Sequence, residues 1–226
     1  MTTHQDQQRP PPNSLLLGDC IDVMRRFPDR CIDFILTDPP YIASYKSRDG
    51  QSVCNDNNTA WLKPAYAEMF RVLKRDTFVI SFYGWPKTDL FFDAWKSAGF
   101  RIAGHIVFRK RYTSKSAFLQ YRHEQAFLLV KGNPAFPEQP VPDVIDMPYS
   151  GNKLHPTQKP IAILKPLIEA FTKTGDTILD PFAGSASTLV AARALSRNYV
   201  GIEMEEAHHR AATNRLAEGR IARRSA

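Results

Sequence analysis

Asp38, Pro39, Pro40 and Tyr41 stand one residue beyond the largely apolar run Ile32-Asp33-Phe34-Ile35-Leu36. That order sets a carboxylate, two prolines and an aromatic ring at the end of what reads as a buried strand. In an open α/β sheet, ligands bind beyond the carboxyl ends of the strands. Proline fixes φ and has no N–H, so the pair stiffens the backbone and leaves its carbonyls free to accept hydrogen bonds. An acidic acceptor, a rigid carbonyl and a stacking ring suit a planar ring that carries an exocyclic amino group, as a nucleobase does.

A second segment, Asp180-Pro181-Phe182-Ala183-Gly184-Ser185-Ala186-Ser187-Thr188, joins a short apolar run to a helical pattern through small residues. Small residues let a ligand approach the backbone and the helix N-terminus closely. With one glycine it fits a dinucleotide fingerprint poorly, and no lysine follows at P-loop spacing. Glu203 ends the next run, where an acidic group can accept hydrogen bonds from ribose hydroxyls; a plain tight strand–helix turn is the competing reading. In a third segment, His155-Pro156-Thr157-Gln158-Lys159-Pro160, Thr157 could cap a helix and Lys159 could pair with a ligand carboxylate. Taken alone, the segment reads first as an ordinary capped helix start. Asp19-Cys20, after Gly18, reads on its own as an N-cap.

The elements that hold these residues alternate. Leu15–Leu17, Ile32–Leu36, Thr77–Phe82, Thr177–Leu179 and Tyr199–Ile202 read as strands. Helices are expected at Ile21–Phe27, around Leu62, Tyr66, Met69, Phe70 and Leu73, at Asp89–Ala98, from Pro160 with a kink at Pro166, at Ser185–Leu195, and on to about Gly219. Repeated β–α alternation predicts an α/β fold with a mostly parallel sheet covered on both faces. Ile102–Phe108 and Glu124–Val130 have no helical pattern between them and predict one antiparallel pair. Gly132–Gly151 contains five prolines and reads as a loop. Residues 1–13 are polar and proline-rich, with no signal-peptide core, and read as a disordered lead to a single domain over 14–226.

Composition narrows the partners. The chain of 226 residues carries a net charge of +7 and a pI near 9.4, which favours a polyanion. Arg109, Lys110, Arg111, Lys115 and Arg122 interleave with Tyr112, Phe118 and Tyr121, a pattern suited to phosphate contacts beside base stacking. There is no apolar run long enough to span a membrane. Three cysteines without metal-ligand spacing fit neither a disulfide framework nor a metal centre, and the chain reads as cytoplasmic.

Taken together, the four segments resemble the S-adenosylmethionine-dependent DNA amino-methyltransferases, and in their order the circularly permuted β group. There an Asp-Pro-Pro-Tyr type of motif precedes the cofactor motif, as Asp38–Tyr41 precedes Asp180–Thr188 here. The resemblance covers nearly the whole chain from Leu15; Ala186 departs from it, standing where the family usually has a second glycine. It implies a Rossmann-like methyltransferase fold of seven strands with one antiparallel. It also implies roles: Asp38 and the Pro39 carbonyl hold the target amino group, Pro40 stiffens the motif, and Tyr41 stacks on an extruded base. Asp19, Cys20, His155, Thr157, Lys159, Asp180, Phe182, Gly184, Ser185 and Glu203 surround S-adenosylmethionine, with Lys159 on its methionine carboxylate. No metal is implied. The partner is double-stranded DNA, read through a small segment around residues 109–153, so that a short recognition site and a homodimer are expected. The Asp opening the motif points to the N6 amino group of adenine. N4 of cytosine, RNA or protein glutamine, and a non-enzymatic DNA-binding scaffold remain the other readings. Such enzymes work alone or within restriction–modification systems, and one chain does not say which.

Overall fold

The computed structural model describes residues 7–43, 55–113, 115–149 and 158–224, with the backbone alone at 115, 116 and 219–224. In chain order the elements are β1 (Ser14–Leu17), α1 (Cys20–Arg25), β2 (Ile32–Thr37), α2 (Leu62–Val72), β3 (Leu73–Phe82), a 3-10 turn at Trp85–Lys87, α3 (Thr88–Ala98) and β4 (Arg101–Lys110). There follow β5 (Lys115–Ser116), β6 (Gln120–Tyr121), β7 (His123–Lys131), β8 (Val144–Met147), α4 (Ile161–Phe171), β9 (Thr177–Asp180), α5 (Ser187–Ala194), β10 (Asn198–Glu203) and α6 (Glu206–Arg224).

The main sheet runs β1-β10-β9-β2-β3-β7-β4-β8, and β7 is antiparallel to both of its neighbours. Side chains alternate across it with period two. Ile35, Leu179 and Val200 point into a core with α1, α2 and α3. Phe34, Ile178 and Tyr199 point into a second core with α4, α5 and α6. Burial on both faces explains why the central strands read as near-continuous apolar runs.

The central pair, β2 and β9, decides where a ligand can sit. They are parallel, with Phe34 beside Ile178 and Ile35 beside Leu179. From β2 the chain crosses through α2 to β3 on one side. From β9 it crosses through α5 to β10 on the other. The two connections diverge over opposite faces and leave a crevice beyond the carboxyl ends of β2 and β9, the switch point of an open α/β sheet. Asp38 and Asp180 both stand there.

Several expectations are corrected. The sheet has eight strands among the described residues, because Val144–Met147 pairs in parallel with β4 inside the segment read as a loop. Prolines 142 and 148 bracket that short strand, and proline is tolerated at a sheet edge. The ninth residue before β3's end is no longer helical: Leu73 opens β3 and pairs with Ile32, so α2 passes into the strand without a linker. The helix expected from Ser185 begins at Ser187, since Ala186 takes left-handed dihedrals (φ 60°, ψ 29°). Of the lead expected to be disordered, residues 7–13 follow a defined path: the Gln8 amide donates to the Arg26 carbonyl at 3.0 Å, and Asn13 Nδ2 to Asn198 Oδ1 at 3.3 Å. No helix among the described residues is long and apolar enough to cross a membrane.

Candidate active site

Asp38 leaves the end of β2 with both carboxylate oxygens engaged. Lys159 Nζ lies 2.6 Å from Oδ2, and the Tyr41 hydroxyl donates to Oδ1 at 2.7 Å. The row of charges continues: Glu124 Oε2, from β7, is 3.2 Å from Lys159 Nζ, and its Oε1 is 3.4 Å from Lys110 Nζ, from β4. Lysine, glutamate, lysine and aspartate thus alternate in sign across three strand ends and the entry to α4. The lysine side chains are 5% and 7% exposed, so these charges are scarcely screened. Lys159 Nζ also lies 4.9 Å from the centroid of the Phe82 ring and 5.5 Å from that of Tyr41.

Burial pushes the Asp38 carboxyl upward, and Lys159 and Tyr41 oppose it only in part. For Lys159 burial works in the lowering direction, but Asp38 and Glu124 outweigh it and hold the ammonium well above its ordinary value. Burial would raise Glu124, yet the two lysines keep it below the usual carboxylate range. Tyr41 is pushed well up by burial and by the neighbouring Asp38 charge, so its hydroxyl is a donor and never a phenolate at neutral pH.

Tyr41 is seated by Gly84, just past β3. A β-carbon there would stand 2.7 Å from both Tyr41 Cβ and the Tyr41 carbonyl oxygen, so only glycine lets the two backbones meet.

Beside this network opens a cleft of about 980 Å³, solvent mouth included, lined by Asp19, Cys20, Asp38, Tyr41, Trp61, Phe182, Gly184 and Glu203 among others. Asp19 caps α1, accepting from the Ile21 amide at 2.8 Å, and faces the cleft as well. Both readings of that residue therefore hold for its placement. Glu203 accepts from the amides of Gly184 and Glu205, each at 2.8 Å, and so pins the small-residue turn to the end of β10. Each carboxylate oxygen keeps a second lone pair toward the cleft. Burial pushes the Cys20 thiol up, which makes it a wall rather than a nucleophile.

A smaller recess of about 350 Å³ continues past Phe182, between Asp38, Gln158, Lys159, Asp180, Ser185 and Thr188. Asp180 is 3% exposed, accepts from the Phe182 amide at 3.2 Å, and has its carboxyl pushed up to about 7 by burial. The Gln158 carbonyl oxygen is buried in the same recess with no partner among the described residues.

The structure thus gathers Asp38, Pro39, Pro40, Tyr41, Asp19, Cys20, Phe182, Gly184 and Glu203 around one cleft, with Lys159, Asp180 and Ser185 in its extension. His155 and Thr157 lie outside the described residues. Lys159 is placed differently from expectation, since its charge is taken up by Asp38 and Glu124. Lys110, expected on phosphate, is buried against Glu124. Arg109 is exposed and paired with Asp146 at 2.7 Å, Arg111 is 3.9 Å from the same carboxylate, and Arg122 is exposed. Lys115 lies in β5, with its side chain outside the description.

Glu124, Trp61, Gly84 and Gln158 were not singled out in the sequence. Trp61, packed edge-on against Phe182 at 5.1 Å, looks in sequence like any helix-entry aromatic. Glu124 left one signal, an acid near the start of a strand that is apolar from Ala126 to Val130.

Comparison with known proteins agrees with this geometry. A family model described as DNA methylase matches residues 32–153 and 146–214. The methylase YubD of Escherichia coli K12 is 54% identical over 200 residues, covering 88% of each chain. Among solved structures, the M1.HpyAVI–SAM complex superposes with a TM-score of 0.73 at 23% identity, over 90% of this chain and 98% of that one. The cytosine-N4-specific PvuII DNA methyltransferase gives 0.74 at 18% identity, over 91% and 86%. These two likenesses concern the fold, a Rossmann-like methyltransferase sheet. With the model spanning most of the chain and its carboxylate-tipped strands at the switch point, this protein belongs to the DNA methylase family.

Proposed function

We propose that the protein methylates the exocyclic N6 amino group of adenine in double-stranded DNA, using S-adenosylmethionine. The observation that carries this reading is the Asp38 carboxylate, held by a buried lysine and the Tyr41 hydroxyl at the junction of the large cleft and the basic strand ends. The order of the motifs, Asp38–Tyr41 before Asp180–Thr188, supports the permuted group.

The residues fit the cofactor in chemical kind. Asp19, Cys20, Trp61, Phe182, Gly184 and Glu203 offer an apolar slot rimmed by acceptors, suited to a nucleoside. Asp180 and the side-chain oxygen Oε1 of Gln158 offer two buried acceptors in a recess whose cation among the described residues, Lys159, is already paired with Asp38 and Glu124, which suits the ammonium of an amino acid. This replaces the expected Lys159–carboxylate contact as the main polar anchor of that end. When bound, the cofactor supplies an electrophilic methyl group on a sulfonium.

The work of this chain's own residues is to prepare the amino nitrogen. Its lone pair is delocalised into the base, so it is a poor nucleophile. Asp38, whose carboxylate form the Lys159 ammonium favours, and the Pro39 carbonyl can each accept one N–H and favour a pyramidal nitrogen with an available lone pair. To admit the base, the Tyr41 hydroxyl gives up Asp38 Oδ1, which frees its ring to stack. Stacking of this kind offsets about 1–3 kcal/mol of the few kcal/mol needed to unstack a base. Holding the reactants near attack contributes roughly 7–11 kcal/mol. The recognition surface is small, and a short target sequence follows from it.

The test is methyl transfer from labelled S-adenosylmethionine to unmethylated duplex DNA, with nucleoside mass spectrometry. N6-methyladenine is the expected product. N4-methylcytosine would keep the mechanism and overturn the base; label in RNA or protein alone would overturn the substrate.

A further inference from the structure

Between β4 and β7 the chain makes a small projecting hairpin, β5–β6, closed by Ala117–Leu119, with the Ala117 amide donating to the Leu119 carbonyl at 3.0 Å. Its tip presents Phe118, 103% exposed, and Leu119, 69% exposed. Neither side chain serves the core. Two adjacent large apolar groups at the end of a projection, beside cationic residues, mark a surface made to be covered.

The root of this hairpin is tied to the catalytic carboxylate on two sides. Tyr121 stacks on Trp85 with centroids 6.0 Å apart and planes 22° apart, and Trp85 adjoins Gly84, on which Tyr41 is seated. On the other side, Glu124, the second residue of β7, pairs with Lys159, which in turn pairs with Asp38. Phe118 lies six residues before Glu124, a span of up to roughly 20 Å at strand rise. That exceeds the depth of a DNA groove, about 8.5 Å for the major groove. The flanks are cationic, with the Arg111 side chain 91% exposed and Arg122 exposed, which commits the occupant to a polyanion.

Resting on the reading of DNA as substrate, we propose that the Phe118–Leu119 tip is an apolar wedge that enters the duplex beside the target and holds the stack open while the base sits against Asp38. Apolar wedges between base steps are an established way for proteins to unstack DNA. The arrangement sets the tip at a definite offset from the catalytic carboxylate, because the hairpin hangs from the β4–β7 ends and its root is tied to Asp38, at the end of β2, through Glu124–Lys159 and Tyr121–Trp85.

The experiment compares the wild type, F118A/L119A and R122A on two substrates. One is a duplex carrying the site mapped by methylation sequencing of DNA treated with the wild type. The other is the same duplex with an abasic position opposite the target, where the base is already poorly held. F118A/L119A is expected to lose roughly tenfold or more in transfer rate on the perfect duplex and to recover to within about twofold of wild type on the abasic one, with unchanged cofactor binding. R122A should weaken both substrates alike, through phosphate. Equal losses of F118A/L119A on both substrates, or no loss, would overturn the wedge, as would a change in its oligomeric state by light scattering, which would mark the tip as a contact between copies. Wild type that leaves no methylated site in the treated DNA at the mapping step would instead remove DNA as the substrate.

Discussion

Two aspartates stand at the carboxyl ends of neighbouring parallel strands, Asp38 two residues further out in register than Asp180, and the protein treats them in opposite ways. Asp38 at the end of β2 has a lysine 2.6 Å away and a hydroxyl on its other oxygen. Asp180 at the end of β9 has the Phe182 amide, the nearby Thr188 and Thr37 and, among the described residues, no ion-pair partner, and its carboxyl is pushed up to about 7. Asp180 is buried and Asp38 partly so, and both bear the desolvation of a carboxylate. The difference is the partner. A carboxylate paired within the protein is ready to act as an acceptor before any ligand arrives. One left without a counter-charge is completed by a ligand that brings its own, and the two together divide one crevice into a reacting end and an anchoring end.

The largest effect should come from removing the ready acceptor. Asp38→Asn keeps size and shape but offers an N–H where the amino group needs an acceptor; turnover should fall by about 10³ or more, with cofactor affinity, by calorimetry, nearly unchanged. Loss of cofactor binding instead would merge the two ends into one.

Asp180→Asn separates them from the other direction. The folded carboxyl titrates near 7, above its unfolded value of 3.8, so its ionisation opposes folding increasingly between those values, and the cost is full above pH 7. The variant should therefore be more stable than wild type at pH 8, by about 1–3 kcal/mol in denaturant titrations, and no more stable near pH 4. It should also bind S-adenosylmethionine about ten- to hundredfold more weakly, as expected for losing a charged hydrogen bond. In the wild type, affinity should drop about tenfold per pH unit below 7 and level off above it. A flat affinity profile would remove Asp180 from the anchoring end.

Glu124→Gln sharpens the comparison at the reacting end. Glu124 raises Asp38, so its neutralisation should move the acid limb of kcat to lower pH while the alkaline plateau and cofactor KM change little. An unmoved limb would show that Glu124 only packs. The smallest effect belongs to the anchoring loop. Ala186 is fully buried with φ 60°, and Ala186→Gly relieves left-handed strain while losing a buried methyl and adding chain entropy. Stability should shift by less than about 1 kcal/mol, because terms of about 1 kcal/mol oppose each other.

The reading of the sequence went furthest where function needs contiguous residues. Asp38–Tyr41 and Asp180–Thr188 sit at strand ends because an apolar run must stop before a ligand-facing turn can begin, and that boundary is written locally. The antiparallel β7 was visible as two apolar strands without a helix between them. What escaped was placed by packing. The strand at Val144–Met147 has four residues between prolines, too few for a period, and forms because the β4 edge offers it partners. Lys110 and Lys159 read alike as free cations, one for phosphate and one for a carboxylate, yet Glu124 claims them both.

The sequence by itself determined the chemistry available: which carboxylates end which strands, which turn can admit a cofactor, and that the surface is basic. The tertiary structure decided which charges are already spent. Strands far apart in the chain meet at the carboxyl end of the sheet, and there the low dielectric makes a partner within 3–4 Å dominate everything more distant. Pairing of that kind has no local signature, so the division between an acceptor that is ready and one that waits appears only when β9, β2, β3 and β7 are brought together in one sheet.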